Sequence, residues 1–226
     1  VLEKLLWLIV ATYGFVPSFW ERIFSKKVIK HTPKSNQIAL TFDDGPDLYY
    51  TKDLLRVLAE EQVSATFFVV ASKAAQYPDI IKQIISQGHE IALHSYKHTC
   101  QWFLSPKATQ KDFEKSLDIL KDLGVVPHFF RPPWGLFNLF TRYYSSKFRL
   151  NLVYWSTHVY DWSKYNDSHK MVNDLRQIKG GEIILLHDSS AAPMNTINSM
   201  SEIISDFKDR GLQFVTLREC TDLYDD

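Results

Sequence analysis

Seven short apolar runs, set apart by stretches of helical period, leave this chain few folds to choose from. The runs are 38–42 (IALTF), 65–70 (ATFFVV), 90–94 (EIALH), 128–131 (HFFR), 152–156 (LVYWS), 182–187 (EIILLH) and 213–217 (QFVTL). Several are apolar throughout, as strands are when both faces of their sheet are covered. Between them lie helix-period segments at 51–62 and 78–88, the second stopped by Gly88. A long helix is expected from about Pro106 to Leu123, with Ser105 as N-cap and Pro106 in its first turn. Further helical stretches fall near 138–147, 168–179 and 196–210. Strand followed by helix, repeated, implies an α/β fold of parallel strands with crossover helices. An open doubly wound sheet and a closed or nearly closed barrel both fit, and seven units favour the barrel. The 226 residues suit one domain with a sizeable core.

In parallel α/β architectures chemistry gathers where strands end. Asp43 and Asp44 end the first run, His94 the third, Arg131 the fourth and His187 the sixth, while Asp161 closely follows the fifth. Stability alone does not require ionisable residues at one end of five strands.

Each group has a plain reading and a chemical one. In TFDDGP (41–46), Asp, Gly and Pro are turn formers, so a cap or turn accounts for them. Two adjacent carboxylates after a buried strand nevertheless repel, and a bound cation would relieve them, leaving one as ligand and one as base. In HSYKH (94–98), one helical turn would bring His94 and His98 onto a common face, a spacing frequent in zinc sites. With a carboxylate they make a two-histidine, one-carboxylate set with positions left for water and substrate. Zinc suits these donors best; cobalt, nickel or manganese could take the same place. Arg131, in the rigid RPPWG turn, either forms a salt bridge at the barrel mouth or orients Asp43. His187, in LLHDS, is either a satisfied core histidine or an acid whose second nitrogen is held by Asp161.

Taken in order, TFDDGP, HSYKH, RPPWG, YDW (160–162) and LLHD resemble the five motifs of the polysaccharide deacetylases of carbohydrate esterase family four, the NodB homology domain. The likeness covers about residues 37–226. It implies a distorted seven-stranded (β/α) barrel, TIM-barrel-like, as a single catalytic domain that hydrolyses the N-acetyl group of a GlcNAc-containing polymer. It also implies that Asp43 is the general base, that Asp44, His94 and His98 bind one divalent metal ion, and that Arg131 orients Asp43. His187 is then the general acid, tuned by Asp161. Trp162 and Leu185 line the acetyl pocket, and the backbone N–H of Trp134 helps to hold the oxyanion. Two positions depart from the pattern: His158 stands where the fourth motif usually has Asp, and Trp134 where the third usually has Tyr. A deacylase of a lipid-linked sugar or small amide would use the same groups. A non-catalytic glycan-binding module would be expected to lose a ligand or the base, and none is missing.

Residues 1–36 stand apart. Residues 5–16 (LLWLIVATYGFV) are apolar but shorter than the roughly 20 residues that span a bilayer. Phe19, Trp20 and a cluster of Arg22, Lys26, Lys27, Lys30 and Lys34 follow, the order of a membrane anchor meeting the headgroup layer. An amphipathic helix packed outside the domain is the alternative. A glycan substrate points to an extracellular or cell-envelope location, with membrane association through this segment, although basic residues after a span favour the cytoplasmic side. Lys plus Arg and Asp plus Glu number 26 each, so no global field draws the protein to nucleic acid, and no obligate protein partner is inferred. Cys100 and Cys220 could pair or remain thiols.

Overall fold

The computed structural model describes residues 12, 14, 16, 19–21, 25, 28–163, 165–189 and 194–221. Its centre is strand β1 (Gln37–Asp43), whose seven residues are all buried. β2 (Thr66–Val69), β3 (Glu90–Leu93), β4 (Phe129–Phe130) and β5 (Asn151–Leu152) extend the sheet on one side of β1. β6 (Thr157–His158) and β7 (Glu182–His187) complete the other, in the order β5-β4-β3-β2-β1-β7-β6. Every pairing on this path is parallel. β8 (Gln213–Phe214) pairs only with the first two residues of β1. The curled sheet is the expected distorted barrel, left open between β5 and β6.

Two expectations about its strands are corrected. The run 152–156 is not one strand: the chain leaves β5 at Leu152 and enters β6 at Thr157, on the opposite edge, without an intervening helix. The run 213–217 yields only a two-residue strand. Near the seam, Ile29 bridges Val153 in parallel and His31 bridges Glu182 antiparallel, while Val28 is buried in the core. Most of the apolar run 5–16 and part of the basic cluster lie outside the described residues, among which no helix is long and apolar enough to cross a membrane.

The helices α1 (Tyr50–Glu60), α2 (Ala71–Gln76), α3 (Pro78–Ser86), α4 (Pro106–Asp122), α5 (Leu139–Lys147), α6 (Ser168–Leu175), α7 (Asn195–Asp209) and α8 (Leu217–Thr221) accompany the strands. α4 forms as its local signals require. Ser105 Oγ accepts from the Ala108 N–H, Pro106 fills the first turn, and Thr109, Phe113, Ser116 and Leu120 make a buried stripe. Fully burying Phe113 and Leu120 contributes about 1.5–3 kcal/mol each.

Alternate strand residues divide the core in two. Ile38, Leu40, Phe42, Phe67, Val69, Ile184 and Leu186 join the large cluster that includes the helices. Ala39, Phe68, Ala92, Phe129, Val153 and Ile183 form the small inner cluster, closed by Leu217 and Cys220. The strand period of two then carries the inner face upward from Ala39 to Thr41 and Asp43, from Ala92 to His94, from Phe129 to Arg131, and from Ile183 to Leu185 and His187. One face thus supplies both the interior packing and the groups at the barrel mouth. No disulfide joins Cys100 and Cys220.

Candidate active site

Strand register brings the first pair of groups together. Asp43 is the direct neighbour of His187 across β1 and β7, and Leu93 is the neighbour of Phe130, so His94 and Arg131 emerge side by side. Asp43 is 3% exposed, and its Oδ1 accepts from Arg131 Nη1 at 2.7 Å. Arg131 is fully buried. It also donates to Thr41 Oγ1 (2.9 Å) and the Tyr154 carbonyl (3.0 Å), and lies 4.0 Å over the Phe68 ring. The two readings of Arg131, structural ion pair and orienting partner, describe one contact. It leaves Asp43 Oδ2 facing His94 Nε2 at 3.8 Å.

Asp44 turns the other way because its φ is 74°, a left-handed conformation that costs a non-glycine residue about 1–2 kcal/mol. Its Oδ1 reaches within 3.3 Å of His94 Nε2 and 2.9 Å of His98 Nε2. Burial by itself would raise this carboxyl, but the two imidazoles, wherever they present a proton or positive charge to it, outweigh burial and hold the group well below the usual carboxylate range. The helical turn expected for 94–98 is absent. His94 follows directly on β3, and Ser95 (φ 70°) and His98 (φ 54°) reverse the loop so that the rings come within 5.1 Å. Coil geometry, not helical spacing, unites them. Among the described residues, five of the seven left-handed non-glycine positions (Asp44, Ser95, His98, Trp134 and Tyr160) lie in these motif loops, where backbone strain commonly accompanies function.

The donors fit a cation. His94 Nδ1 sits 2.7 Å from the Arg131 carbonyl, which can only accept, so Nδ1 carries the hydrogen. In the neutral ring, Nε2 then aims a lone pair at Asp44 Oδ1. That oxygen is shielded from solvent and has no aligned hydrogen-bond partner, the 2.9 Å approach of His98 being off-axis. Electron pairs facing one another call for positive charge between them. A tetrahedral ion with bonds of about 2.0–2.1 Å needs ligand atoms roughly 3.3 Å apart, and the three ligand atoms lie within 4.8 Å of one another. Asp44, His94 and His98 can therefore hold a divalent cation.

On the other wall, Asp161 is fully buried and grips His187 twice, through Nδ1 (2.8 Å) and the backbone N–H (2.8 Å). Burial disfavours the imidazolium, but the bond and charge of Asp161, with the charges of Asp43 and Asp44, raise His187 to about 9. Asp161 follows β6, the strand absent from the sequence expectation. Trp162 lies edge-on to His187 at 5.1 Å, and His158, across from Leu185 in register, stacks nearly parallel to Trp162 at 6.4 Å. Trp134, Trp162 and Leu185 line a cavity of about 490 Å³ together with the aspartates and histidines.

Three contributors were not anticipated. Trp155 lines the same cavity, and its place two residues beyond inward-facing Val153 could have revealed it. Asp188, buried and pushed up to about 7, accepts from Thr51 Oγ1 at 2.6 Å and lies against Gly45, where any Cβ would overlap its carboxylate. Lys73 donates to the Asp44 carbonyl at 2.6 Å. Neither contact has a local sequence signal.

The family model for polysaccharide deacetylase matches residues 30–153, more than half of the chain. The chain belongs to the polysaccharide deacetylase family. A peptidoglycan-N-acetylglucosamine deacetylase of Bacillus cereus is 32% identical over 183 residues, covering 80% of this chain and 66% of that protein. The peptidoglycan-N-acetylmuramic acid deacetylase PdaC of Bacillus subtilis is 31% identical over 188 residues, covering 83% of this chain but only 39% of its own length. In three dimensions this family member is similar to the crystal structure of the Bc1960 peptidoglycan N-acetylglucosamine deacetylase. The TM-score is 0.83 at 29% identity, over 89% of this chain and 95% of the other.

Proposed function

We propose that this chain is a metal-dependent N-deacetylase that removes acetyl groups from N-acetylglucosamine-type residues of a glycan of the peptidoglycan or chitin class. The observation that carries the reading is the pairing of Asp43 with His187 across β1 and β7, beside the Asp44–His94–His98 cluster. Zinc is the favoured ion, since two imidazoles and one carboxylate at these separations suit it; cobalt, nickel and manganese are the alternatives. A divalent cation at these three side chains supplies Lewis acidity towards the acetyl carbonyl and lowers the pKa of water.

The chain's own groups do the rest. Arg131 engages Asp43 Oδ1, so Oδ2 is the atom that takes the proton as water attacks the acetyl carbon. The backbone N–H of Trp134 donates to the developing oxyanion, a contact whose loss commonly costs about 10²–10³-fold in rate. Leu185, Trp162 and Trp155 wall the space for the acetyl methyl. As the C–N bond breaks, His187 passes the proton on Nε2 to the sugar nitrogen, and Asp161 steadies the imidazolium beforehand. Residues 37–226 hold all these groups and are the unit we assign as catalytic domain.

Acetate release from chitooligosaccharide by chelator-stripped and zinc-restored protein tests the proposal. Asp43→Asn is expected to keep zinc while losing about 10²–10⁴-fold in turnover. His98→Ala is expected to lose zinc as well. Full activity in either variant refutes the assignment.

One observation favours a second substrate. Val16, Phe19 and Trp20 are exposed, and this segment touches the domain where Glu21 meets Arg142 at 3.5 Å and Gly14 packs on Trp102. An apolar surface beside the domain suits a membrane-associated enzyme of the cell envelope acting on a lipid-linked sugar. Comparing acetate release from lipid-linked sugar, peptidoglycan and chitooligosaccharide separates the two.

A further inference from the structure

The proposed ligands come from two loops, 43–46 and 94–98, and one short stretch of chain touches both. Val70 N–H donates to the Gly45 carbonyl (2.8 Å) and Lys73 Nζ to the Asp44 carbonyl (2.6 Å). Ala71 N–H donates to the Ser95 carbonyl and Ser72 N–H to the Tyr96 carbonyl, both at 3.0 Å. Four consecutive residues thus bind four carbonyls, two on the loop of Asp44 and two on the loop between His94 and His98. The opening N–H groups of a helix have no partner within it, and the N-cap of α2 offers no side-chain bond. Here the ligand loops supply the acceptors, so α2 and the two loops order one another.

Three of these four bonds are made by backbone and do not depend on the side chains there. The fourth belongs to Lys73. Its acceptor is the carbonyl of Asp44 itself, the residue held at φ 74°. We infer that Lys73 is a positioning residue that holds the Asp44 backbone in its left-handed turn and so sets the separation of its carboxylate from the two imidazoles. The inference rests on the metal-dependent reading of the site. It concerns affinity for the ion, not the chemistry of the acetyl group.

The sign of the effect discriminates. An ammonium beside a bound cation repels it, so if Lys73 acted only through its charge, removing that charge would tighten binding. As a positioning contact its removal weakens binding, typically 10–100-fold for groups that orient metal ligands. The experiment is titration of chelator-stripped full-length protein with zinc, read against a competing chromophoric chelator, with melting of the metal-free protein as the check on folding. Lys73→Met and Lys73→Gln are expected to bind zinc about 10–100-fold more weakly at unchanged stoichiometry. Lys73→Arg, which keeps a donor, is expected to stay close to wild type. A folded Met or Gln variant that binds zinc as tightly as wild type, or more tightly, overturns the inference and leaves the site itself standing. Failure of the wild-type protein to bind any of zinc, cobalt, nickel and manganese overturns the metal-dependent reading instead.

Discussion

Asp161 divides its carboxylate between functions: Oδ1 meets the His187 ring, while Oδ2 receives the His187 backbone N–H and the Thr196 hydroxyl at 2.9 Å. The buried anion therefore cannot turn away from the imidazole. A histidine raised to about 9 keeps its proton through neutral pH; the stabilisation it contributes is complete below about 6.5 and is lost as pH rises through about 9. Acetate release limited by this acid is accordingly expected to fall on the alkaline side near 9. Asp161→Asn removes the anion, so the alkaline limb should move to lower pH and turnover at pH 8 should drop by roughly 10²-fold or more. A pH–rate profile of the zinc-loaded variant checks this, and an unmoved limb contradicts it. At this scale residue types were legible in the sequence: Asp43, Asp44, His94, His98 and His187 line one cavity, with Arg131 and Asp161 buried behind Asp43 and His187. Their geometry was not. The spacing of His94 and His98 suggested a helical turn, whereas two left-handed residues make the contact.

Among the elements, loops and helices respond differently to change. Gly135 closes the RPPWG turn at φ 67°, and a Cβ there would meet the Tyr154 ring at 2.8 Å. Tyr154 in turn donates its hydroxyl to the Gly135 carbonyl and accepts from Arg131 at its own carbonyl. Gly135→Ala is expected to cost at least about 1–2 kcal/mol for the left-handed turn alone, and to depress acetate release because Trp134 and Arg131 shift with it. Ser105→Ala removes the cap of α4, a side chain whose bond stays within that helix. It should cost about 1 kcal/mol, a fall in melting temperature of roughly 2–4 °C, with turnover unchanged. Melting curves and acetate release measured together test the contrast. α4 was legible because cap, proline and apolar stripe are neighbours in sequence. The β5–β6 crossing was not, since β-branched and aromatic residues at 152–156 report only that the segment is apolar, not which edge of the sheet it joins.

For the molecule as a whole, the ion is expected to act as a fastener between loops of β1 and β3. Zinc at 100 times its dissociation constant adds about 2.7 kcal/mol to folding, which for a domain of this size raises the melting temperature by roughly 5–10 °C. Calorimetry of the stripped and zinc-restored protein tests this; no shift would mean that the three side chains do not hold the ion. By itself the sequence determined the α/β class, most of the strands and helices and the identity of the reactive groups, because hydrophobic period and residue type belong to the chain locally. Only the tertiary structure decided that Asp43 faces His187, that Arg131 spends its charge on Asp43, and that Lys73 and Asp188 brace the turn between them. Register and backbone reversal depend on packing between segments distant in sequence, and no local pattern encodes them.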